Sequence, residues 1–471
     1  MSPHPASLAA VAAALSLAAC RSVGPDYQSP PDISGPAFSQ GDPSPTKDLT
    51  RWWHEFKDPK LDSLISRAFS ANPDLRSAAA RIDEARASRR SASAAFAPQL
   101  DGSASATRQK LSENSPTGRN IPIPGLFDPQ SQLDLRIDAS WEIDFFGGLR
   151  RASEAASASL DAAVENLRAV KVSLSAETAA AYFELRGYQA RRLVAEQNLK
   201  SQRDTLTLTS QRLAAGLATD LDVARAEQQA EATAASIPIF EAGARRSIYR
   251  LGVLLGTTPA DLVPDLTSPK PLPSHLRGVP VGLPSDLLLR RPDIRRAERE
   301  LAAANARIGV AIANLYPRFR LTSASGLQSV EASSLFNNQS NLWSLGPSLS
   351  WPIFNAGQLR AAADAQSANT RAAAANYEKT VLSALEDVES ALVDFGQEQR
   401  RLASLTNSSS AASRARNLAR DRHLAGLTGF IDVLEADRAL LLTEDDCVQS
   451  RTQLTLNLVR LYKALGGGWQ D

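Results

Sequence analysis

Polar and apolar residues alternate strictly along one stretch of the chain, "LDLRIDASWEI" at positions 133–143. The apolar residues are Leu133, Leu135, Ile137, Ala139, Trp141 and Ile143. A period of two residues predicts a β-strand with one apolar and one polar face. The stretch "WSLGPSLSWPI" at 343–353 has apolar residues at the same alternate positions. We expect two partner strands near 100–109 and 319–328, where the alternation is weaker.

Most of the remaining chain is rich in alanine and follows a helical period. Leu160, Leu167 and Leu174 lie seven residues apart, which is the spacing of a coiled-coil seam. The pattern predicts a long helix from about residue 149 to residue 215. Gly216 then ends the helix, as a C-terminal glycine commonly does.

The chain contains an internal duplication. Residues 72–98 align with 291–317 at an offset of 219, and residues 140–256 align with 350–466 at an offset of 210 without a gap. Each copy is expected to fold as a helix, a strand pair, a long helix and a shorter helix. The predicted organisation is a signal peptide at 1–19, a lipidated extended segment at 20–71, repeat 1 at 72–256, a proline-rich linker at 257–284, repeat 2 at 285–466 and a tail at 467–471.

The N-terminus has the pattern of an export signal. Residues 8–19 form an apolar stretch that is too short to span a bilayer, and Cys20 follows it in "LAAC". This sequence resembles a bacterial lipobox, in which Cys20 becomes the lipidated first residue. The alternative is a buried N-terminal helix. Lipidation of Cys20 would leave Cys447, the second of the two cysteines, without an intramolecular disulfide partner.

Composition argues against several function classes. The net charge of +1 gives no attraction toward nucleic acid, and 43% apolar with 22% charged residues is typical of a folded protein. The first alternative function class is an enzyme. The four histidines lie far apart, and the chain has no Walker, Rossmann or nucleophile-elbow motif. We therefore predict no catalytic residue, no cofactor and no metal site.

The amphipathic strands are long enough to cross a membrane. At about 3.3 Å per residue such a strand spans a hydrocarbon core at the usual tilt, and its alternation is typical of outer-membrane barrels. Trp141, Trp343 and Trp351 are the predicted interface aromatics. Four strands cannot close a barrel and lipid does not tolerate an open sheet edge, so several protomers must share one barrel. The alternative is a half-buried strand of a soluble sheet.

Four stretches of the sequence carry a family resemblance. They are "CRSVGPDYQSP" (20–30), "WWHEFKDPKLDSLI" (52–65), "VGLPSDLLLRRPDIRRAERELAAANARIGVA" (281–311) and "SWPIFNAGQLR" (350–360). The chain resembles the TolC-type outer membrane factors of tripartite efflux systems, in the lipoprotein branch typified by OprM and NodT. The resemblance implies an efflux channel of mixed α+β fold. It implies a homotrimer with a twelve-stranded outer-membrane β-barrel, four strands from each protomer, continued by a periplasmic α-helical barrel. It also implies docking to a periplasmic adaptor and to a resistance-nodulation-division pump of the inner membrane.

The resemblance further implies a gate at the periplasmic tip, in "GFIDVLEADR" (429–438). The residues expected to line the gate are Ile431, Asp432, Glu435, Arg438 and His423. Asp432 and Glu435, three residues apart, would share one helix face, and symmetry would turn each into a ring of like charges. His423 stands where tyrosine is usual, which suggests a pH-sensitive gate. The alternative for these charges is a solvated helix face.

Two turns, "AAGLATD" (214–220) and "LAGLTGF" (424–430), are expected to contact the adaptor. Each puts a glycine before an exposed leucine, and the residues are Gly216, Leu217, Gly426 and Leu427. An ordinary helix cap is the alternative for the turns. For the whole chain the alternative is a structural coiled-coil lipoprotein without transport activity, which explains the heptads but not the paired strands.

Overall fold

The computed structural model describes residues 22–31, 33, 35, 37–39, 49–115, 125, 127–273, 281–282 and 284–469. The predicted signal peptide at 1–19 and the predicted lipidation site Cys20 lie outside these residues. The α-helices of the described part are α1 (Pro59–Ala71), α2 (Pro73–Ala94), α3 (Gly148–Ala214), α4 (Asp220–Leu254), α5 (Val263–Leu266), α6 (Pro284–Arg290), α7 (Pro292–Ala313), α8 (Gln358–Leu424) and α9 (Phe430–Ala464). The strands are β1 (Gln99–Gln109), β2 (Gln130–Ile143), β3 (Arg318–Ser329) and β4 (Asn341–Ser350).

The duplication in the sequence is repeated in the lengths of the helices. Both α3 and α8 have 67 residues, both α4 and α9 have 35, and both α2 and α7 have 22. The predicted long helix of the first copy is therefore observed as α3. Equal lengths in the two copies indicate that equivalent residues occupy equivalent places, which allows one copy to be compared with the other residue by residue.

The four strands form one antiparallel sheet in the order β1-β2-β3-β4. Gln99 lies opposite Ser140 in the first hairpin, and Ser140 lies opposite Thr322 in the central pair. Opposite residues share a sheet face, so the polar face of β2 continues across the sheet. Strands β1 and β4 are the two edges, and the described part of the protomer gives neither edge a second partner strand.

The second amphipathic strand ends earlier than predicted. We expected it to cover 343–353, but β4 ends at Ser350, and Trp351 to Ile353 lie beyond it. The strand ends there because its partner β3 begins at Arg318, which lies opposite Ser350. The first strand instead begins earlier than predicted, at Gln130.

The prediction of an extended segment over 20–71 is wrong for the second half of that range. Residues Trp52–Phe56 form a 3-10 turn, and Pro59–Ala71 form α1. Asp58 caps α1 by accepting a hydrogen bond from the backbone N–H of Lys60 at 2.9 Å. The buried residues of α1 lie at the i, i+3, i+4 and i+7 positions of one helix face, and they are Leu61, Leu64, Ile65 and Ala68.

The linker predicted to be irregular over 257–284 is also partly helical. Pro259–Leu262 form a 3-10 turn, and α5 follows it directly. Proline favours such turns at their first positions, where its missing N–H is not needed. Leu262 and Leu266 are buried, so apolar burial holds this part of the linker against the core.

The chain divides into two compact units that do not follow the repeat boundaries. The first combines the parts of Met1–Pro30, Ile82–Ala162 and Glu298–Asn376 that the structure describes, and contains the sheet. The second combines Pro31–Arg81, Ala163–Ala297 and Tyr377–Asp471, and contains the larger apolar core, where Trp52 stacks on Tyr462. Each unit takes residues from both repeats, so neither repeat is a compact unit by itself.

Candidate functional site

The two helical hairpins end in turns of the same geometry. After α3, the backbone N–H of Gly216 donates to Leu213 O at 2.9 Å and that of Leu217 donates to Arg212 O at 2.8 Å. After α8, Gly426 and Leu427 make the equivalent bonds to His423 O and Arg422 O at 3.0 and 2.9 Å. The φ angles of Gly216 and Gly426 are 72° and 71°, a left-handed conformation that glycine adopts without strain. This geometry leaves Leu217 and Leu427 exposed, at 67% and 69%.

The helices that follow the two turns begin differently. Thr219 caps α4 in a capping box, in which Thr219 Oγ1 accepts from the N–H of Asp222 and the Asp222 carboxylate accepts from the N–H of Thr219. The hydrogen bond from the Thr219 hydroxyl is the main reason that the pKa of Asp222 is lowered. Gly429 occupies the equivalent position before α9 and offers no side-chain cap. Asp432, the counterpart of Asp222, is therefore not engaged in a capping box.

Four of the predicted gate residues lie together on the exposed face of α9. We call Ile431, Asp432, Glu435 and Arg438 the gate stripe; all four are exposed in the protomer. The described residues provide no ion-pair partner for Asp432, Glu435 or Arg438. The opposite face of α9 is buried through Val433, Asp437 and Leu440. The helix thus separates a free charged face from a packed face.

His423 lies on a different helix from the gate stripe. It belongs to the last turn of α8, and its Nδ1 lies 3.1 Å from the carbonyl oxygen of Thr428. Its ring lies 5.5 Å from the ring of Phe430. The half-buried imidazole therefore closes its own turn, a contact that the sequence pattern did not predict.

An ion pair next to the gate stripe, largely buried, was not predicted from the sequence. Asp437 of α9 accepts a hydrogen bond from Nε of Arg416 of α8 at 2.9 Å, and Arg416 also donates to the hydroxyl of Ser201 on α3. Burial raises the pKa of Asp437 against the opposing attraction of Arg416. The signal that could have revealed it is the spacing, because Asp437 stands at i+4 from Val433 on the apolar face.

Of the predicted interface aromatics, Trp141 lies in β2, Trp343 lies in β4 and Trp351 follows directly after β4. Trp141 donates from Nε1 to the carbonyl oxygen of Phe96 at 2.8 Å, and Trp351 donates to that of Leu315 at 3.1 Å. These two bonds are equivalent under the duplication. Trp343 on β4 is 78% exposed and stands on the apolar face of that strand.

Two aromatic pairs at the junction between the sheet and the helices were not predicted from the sequence. Phe145 packs edge-on against Phe319, with ring centroids 4.8 Å apart, and Phe146 stacks on Tyr316 at 4.6 Å. Backbone N–H of Val23 donates to the carbonyl oxygen of Phe146 at 3.0 Å. The start of the described chain is thus bound to this junction.

Two negative findings hold for the part of the chain that the structure describes. No helix in that part of the chain combines the length and the hydropathy needed to cross a membrane. In the same residues, no group of three or more His, Cys, Asp or Glu side chains is arranged to hold a metal ion.

Comparison with known proteins identifies the family. The model of the outer membrane efflux protein family matches residues 64–257 and 283–467. The toluene efflux pump outer membrane protein TtgF of Pseudomonas putida is 35% identical, and the match covers 98% of this chain and 96% of that protein. Nodulation protein T of Rhizobium leguminosarum bv. trifolii is 34% identical, over 95% of this chain and 94% of that protein.

A solved structure confirms the fold class. The outer-membrane channel OprN superposes with a TM-score of 0.87 at 39% identity, over 95% of this chain and 100% of that chain. The predicted mixed α+β fold is therefore that of an outer-membrane channel, and the family is one of transport channels. The chain belongs to the outer membrane efflux protein family and is an outer-membrane efflux channel.

Proposed function

We propose that three copies of this chain form one channel whose gate is lined by the gate stripe of α9. The observation that supports the gate is the contrast between Asp222 and Asp432. The duplication gives both helices an aspartate at the same position, but only Asp222 is used by a capping box. Gly429 leaves the carboxylate of Asp432 free to carry charge on the exposed face.

Threefold symmetry gives the gate stripe its electrostatic effect. Each of Asp432 and Glu435 becomes a ring of three carboxylates, and like charges in a ring repel each other while attracting cations. Arg438, one turn further, provides the opposite charge that moderates this repulsion. Ile431 adds an apolar ring at the end of the stripe. Such a gate favours cations and is poised between a narrow and a wide state.

The strand count supports the trimer. The described part of each protomer contributes four strands, whose sheet has no further partner strand at either edge, and twelve strands close into one barrel. Trp343 lies near the start of β4 and Trp351 follows directly after its end, so the two aromatics flank the strand as the aromatic girdles of such barrels do. Removal of the signal peptide 1–19 and lipidation of Cys20 anchor the mature chain in the outer membrane.

The channel receives its substrate from partners. The exposed leucines of the two turns, Leu217 and Leu427, contact a periplasmic adaptor, which connects the channel to a resistance-nodulation-division pump of the inner membrane. The chain itself acts as a passive conduit without enzyme activity. A structural lipoprotein without transport, the alternative weighed from the sequence, conflicts with the family and does not explain a sheet with one exposed apolar face.

Planar-bilayer recording tests the gate. Asp432→Ala combined with Glu435→Ala should raise the single-channel conductance and reduce the preference for cations, because both rings are removed. The control combines Asp261→Ala with Glu55→Ala, which removes two exposed carboxylates outside α9 and leaves conductance unchanged. Wild-type conductance and selectivity in the gate variant would reject the gate.

Crosslinking tests the adaptor contact. A photoreactive residue at Leu427 in living cells should capture a periplasmic protein, whereas the same residue at exposed Leu289 on α6 should capture much less. Capture of cytoplasmic proteins alone at Leu427 would contradict the proposed assembly.

A further inference from the structure

One face of α3 meets α9 close to the gate stripe. Arg191 and Asn198 lie seven residues apart and Gln202 follows four residues later, so the three share this face, and we call them the α3 row. Arg191 donates to both carboxylate oxygens of Asp445 at 2.7 and 2.8 Å. Asn198 donates from Nδ2 to the carboxylate of Glu444 at 2.8 Å. The first two members of the α3 row are therefore hydrogen-bonded to α9.

The third member, Gln202, is buried but has no hydrogen-bond partner among the described residues. Its side chain belongs to a residue that is 5% exposed, and neither the oxygen nor the nitrogen of its amide makes a hydrogen bond there. The neighbours on the buried face of α3 are apolar. Leu199 is buried, and Leu206 packs against the cluster of Phe430 and Val433 on α9. A donor and an acceptor thus lie together in an apolar seam, which costs free energy as long as water is kept out.

The residue next to Gln202 has the opposite effect on this seam. Arg416 of α8 donates to the hydroxyl of Ser201, and it also donates to Asp437 of α9 at 2.9 Å. Ser201 therefore helps to hold α3 against the second helical hairpin. The same packing buries the amide of Gln202 without giving it a hydrogen bond to a described residue.

Two comparisons show what the amide contributes at this position. The counterpart of Gln202 in α8, at a shift of 210, is the half-buried Ala412, so the repeat can pack here without a polar group. Gln189 is another buried glutamine of α3, at 4% exposed. Its amide donates to the carbonyl oxygen of Leu266 at 2.8 Å and accepts from Arg186 at 2.6 Å. One buried glutamine of α3 is satisfied, and the other finds no partner in the described part of the protomer.

We propose that Gln202 is a positioning residue of the gate, whose buried amide destabilises the packed seam between α3 and α9 and so favours the wide state of the channel. The proposal rests on the proposed gate and adds what drives its opening. Widening the ring formed by the gate stripe moves the end of α9 that carries the stripe, and the α3 row lies against the same helix. Loosening of the seam admits water, which supplies the hydrogen bonds that no described residue gives the amide.

The effect on gating follows from the balance between two kinds of contact. The partners of Arg191, Asn198 and Ser201 favour the packed seam, whereas the amide of Gln202 opposes it. A partner protein can shift an equilibrium only by its differential affinity for the two states. A seam in which every polar group was satisfied would therefore require a larger affinity difference to open. The threefold assembly repeats the effect of Gln202 in each protomer.

Substitution by methionine tests the buried amide in the full-length protein. Methionine is unbranched like glutamine but has no amide donor or acceptor. In detergent, Gln202→Met should raise the melting temperature, because it removes the unsatisfied groups. The matched control, Gln189→Met, should lower it, because that substitution leaves the partners of a satisfied amide unpaired. Gln202→Leu, a second apolar variant, should agree in sign with Gln202→Met.

Planar-bilayer recording tests the link between the amide and the gate. For Gln202→Met, the time in the narrow state relative to the time in the wide state should rise at least about fivefold. Ser201→Ala removes a holding contact and should change this ratio in the opposite direction. The Gln189→Met control should leave the ratio within about twofold of the wild-type value, since its partners do not belong to the seam.

The results separate the amide from the gate itself. A melting temperature lowered in both Gln202 variants would mean that the amide is satisfied in the packed seam and would overturn the proposal. A raised melting temperature with an unchanged ratio of narrow to wide state would also overturn it, because the amide would then have no part in gating. Failure of the proposed gate is recognised independently, by wild-type conductance and selectivity in Asp432→Ala with Glu435→Ala.

Discussion

At the residue scale, two aspartates of α9 differ through their surroundings and not through their chemistry. Asp432 is exposed beside an N-terminal glycine, whereas Asp437, five residues further, is buried against Arg416. The first is suited to act on passing ions. The second holds α9 to its neighbours α8 and α3, because Arg416 also reaches Ser201. The position on the helix face decides which role each carboxylate has.

Loss of the Asp437 carboxylate should destabilise this region. Asp437→Ala leaves the Arg416 side chain, which is 23% exposed, without its carboxylate, and breaking a fully buried pair costs several kcal/mol. Because Arg416 is partly exposed, we expect a loss of about 2 kcal/mol. Thermal melting followed by circular dichroism in detergent measures the loss. Glu435→Ala, a surface carboxylate on the same helix, should change stability by no more than about 0.5 kcal/mol; equal effects of the two substitutions would contradict the role of Asp437.

The raised pKa of Asp437 predicts a pH dependence with a definite sign. A carboxyl whose pKa is higher in the folded than in the unfolded protein binds its proton first in the folded state. Its contribution to stability is therefore present at low pH. That contribution falls as the pH rises from the ordinary value of about 3.9 through the raised value. The melting temperature of wild type minus that of Asp437→Asn should decrease over this interval, and an increase would mean that Arg416 outweighs burial.

At the element scale, the same helix pair is built twice with different ends. The turns after α3 and α8 share their hydrogen bonds and their glycine conformation, so their backbone is set by local sequence. The helices that follow begin with Thr219 in one copy and Gly429 in the other. One substitution at the start of a helix thus separates a stabilising aspartate from one that is available for a gate.

Gly429→Thr should give the start of α9 the same capping box that Thr219 forms at the start of α4. The φ of Gly429 is −69° and the nearest side-chain atom to a Cβ there is 3.7 Å away, so threonine fits. The new hydroxyl and Asp432 should form a capping box, raise stability by roughly a few tenths of a kcal/mol and withdraw the carboxylate from the exposed face. Single-channel conductance should then rise, as with the loss of Asp432.

The reciprocal substitution is the control for that experiment. Thr219→Gly removes the cap of α4 and should lower stability slightly without changing conductance. A Gly429→Thr channel with wild-type conductance would argue that Asp432 does not narrow the gate.

At the scale of the whole molecule, the protomer is incomplete. Among the described residues neither edge of its sheet has a further partner strand, and the apolar face of β4 exposes Trp343, Leu345 and Leu349. A sheet of this kind is stable only when its edges are paired and its apolar face meets lipid. Several copies in a membrane satisfy both conditions at once.

Electrophoresis of unheated samples gives a direct check. The protein should migrate well above its chain mass of 50.4 kDa in cold detergent and as a single chain after boiling. Extraction from outer membranes should require detergent. Identical migration of heated and unheated samples would contradict a barrel shared by several copies.

Sequence patterns predicted the elements well where the physics is local. Heptad spacing indicated α3, alternation indicated β2, and glycines after the long helices indicated the turns. Prediction failed where distant residues decide the outcome. The residues of α1 are helical because Leu61, Leu64 and Ile65 pack into a core formed by helices that are distant in sequence.

The same distinction between local and long-range effects applies to the candidate site. Its exposed face could be located from the family resemblance and from helical spacing. The contacts of His423 and Asp437 could not, since each depends on a partner that only folding brings near.

The sequence by itself determined the duplication, the helix and strand periods and the family, because these properties are carried by residues close together or by repeated order. Only the tertiary structure decided which carboxylate is buried, which is free and which edges of the sheet lack a partner. The physical reason is that burial and pairing belong to the arrangement of chain segments in space. Asp432 and Asp222 have the same place in two copies of one pattern, and the contacts around them give them different roles.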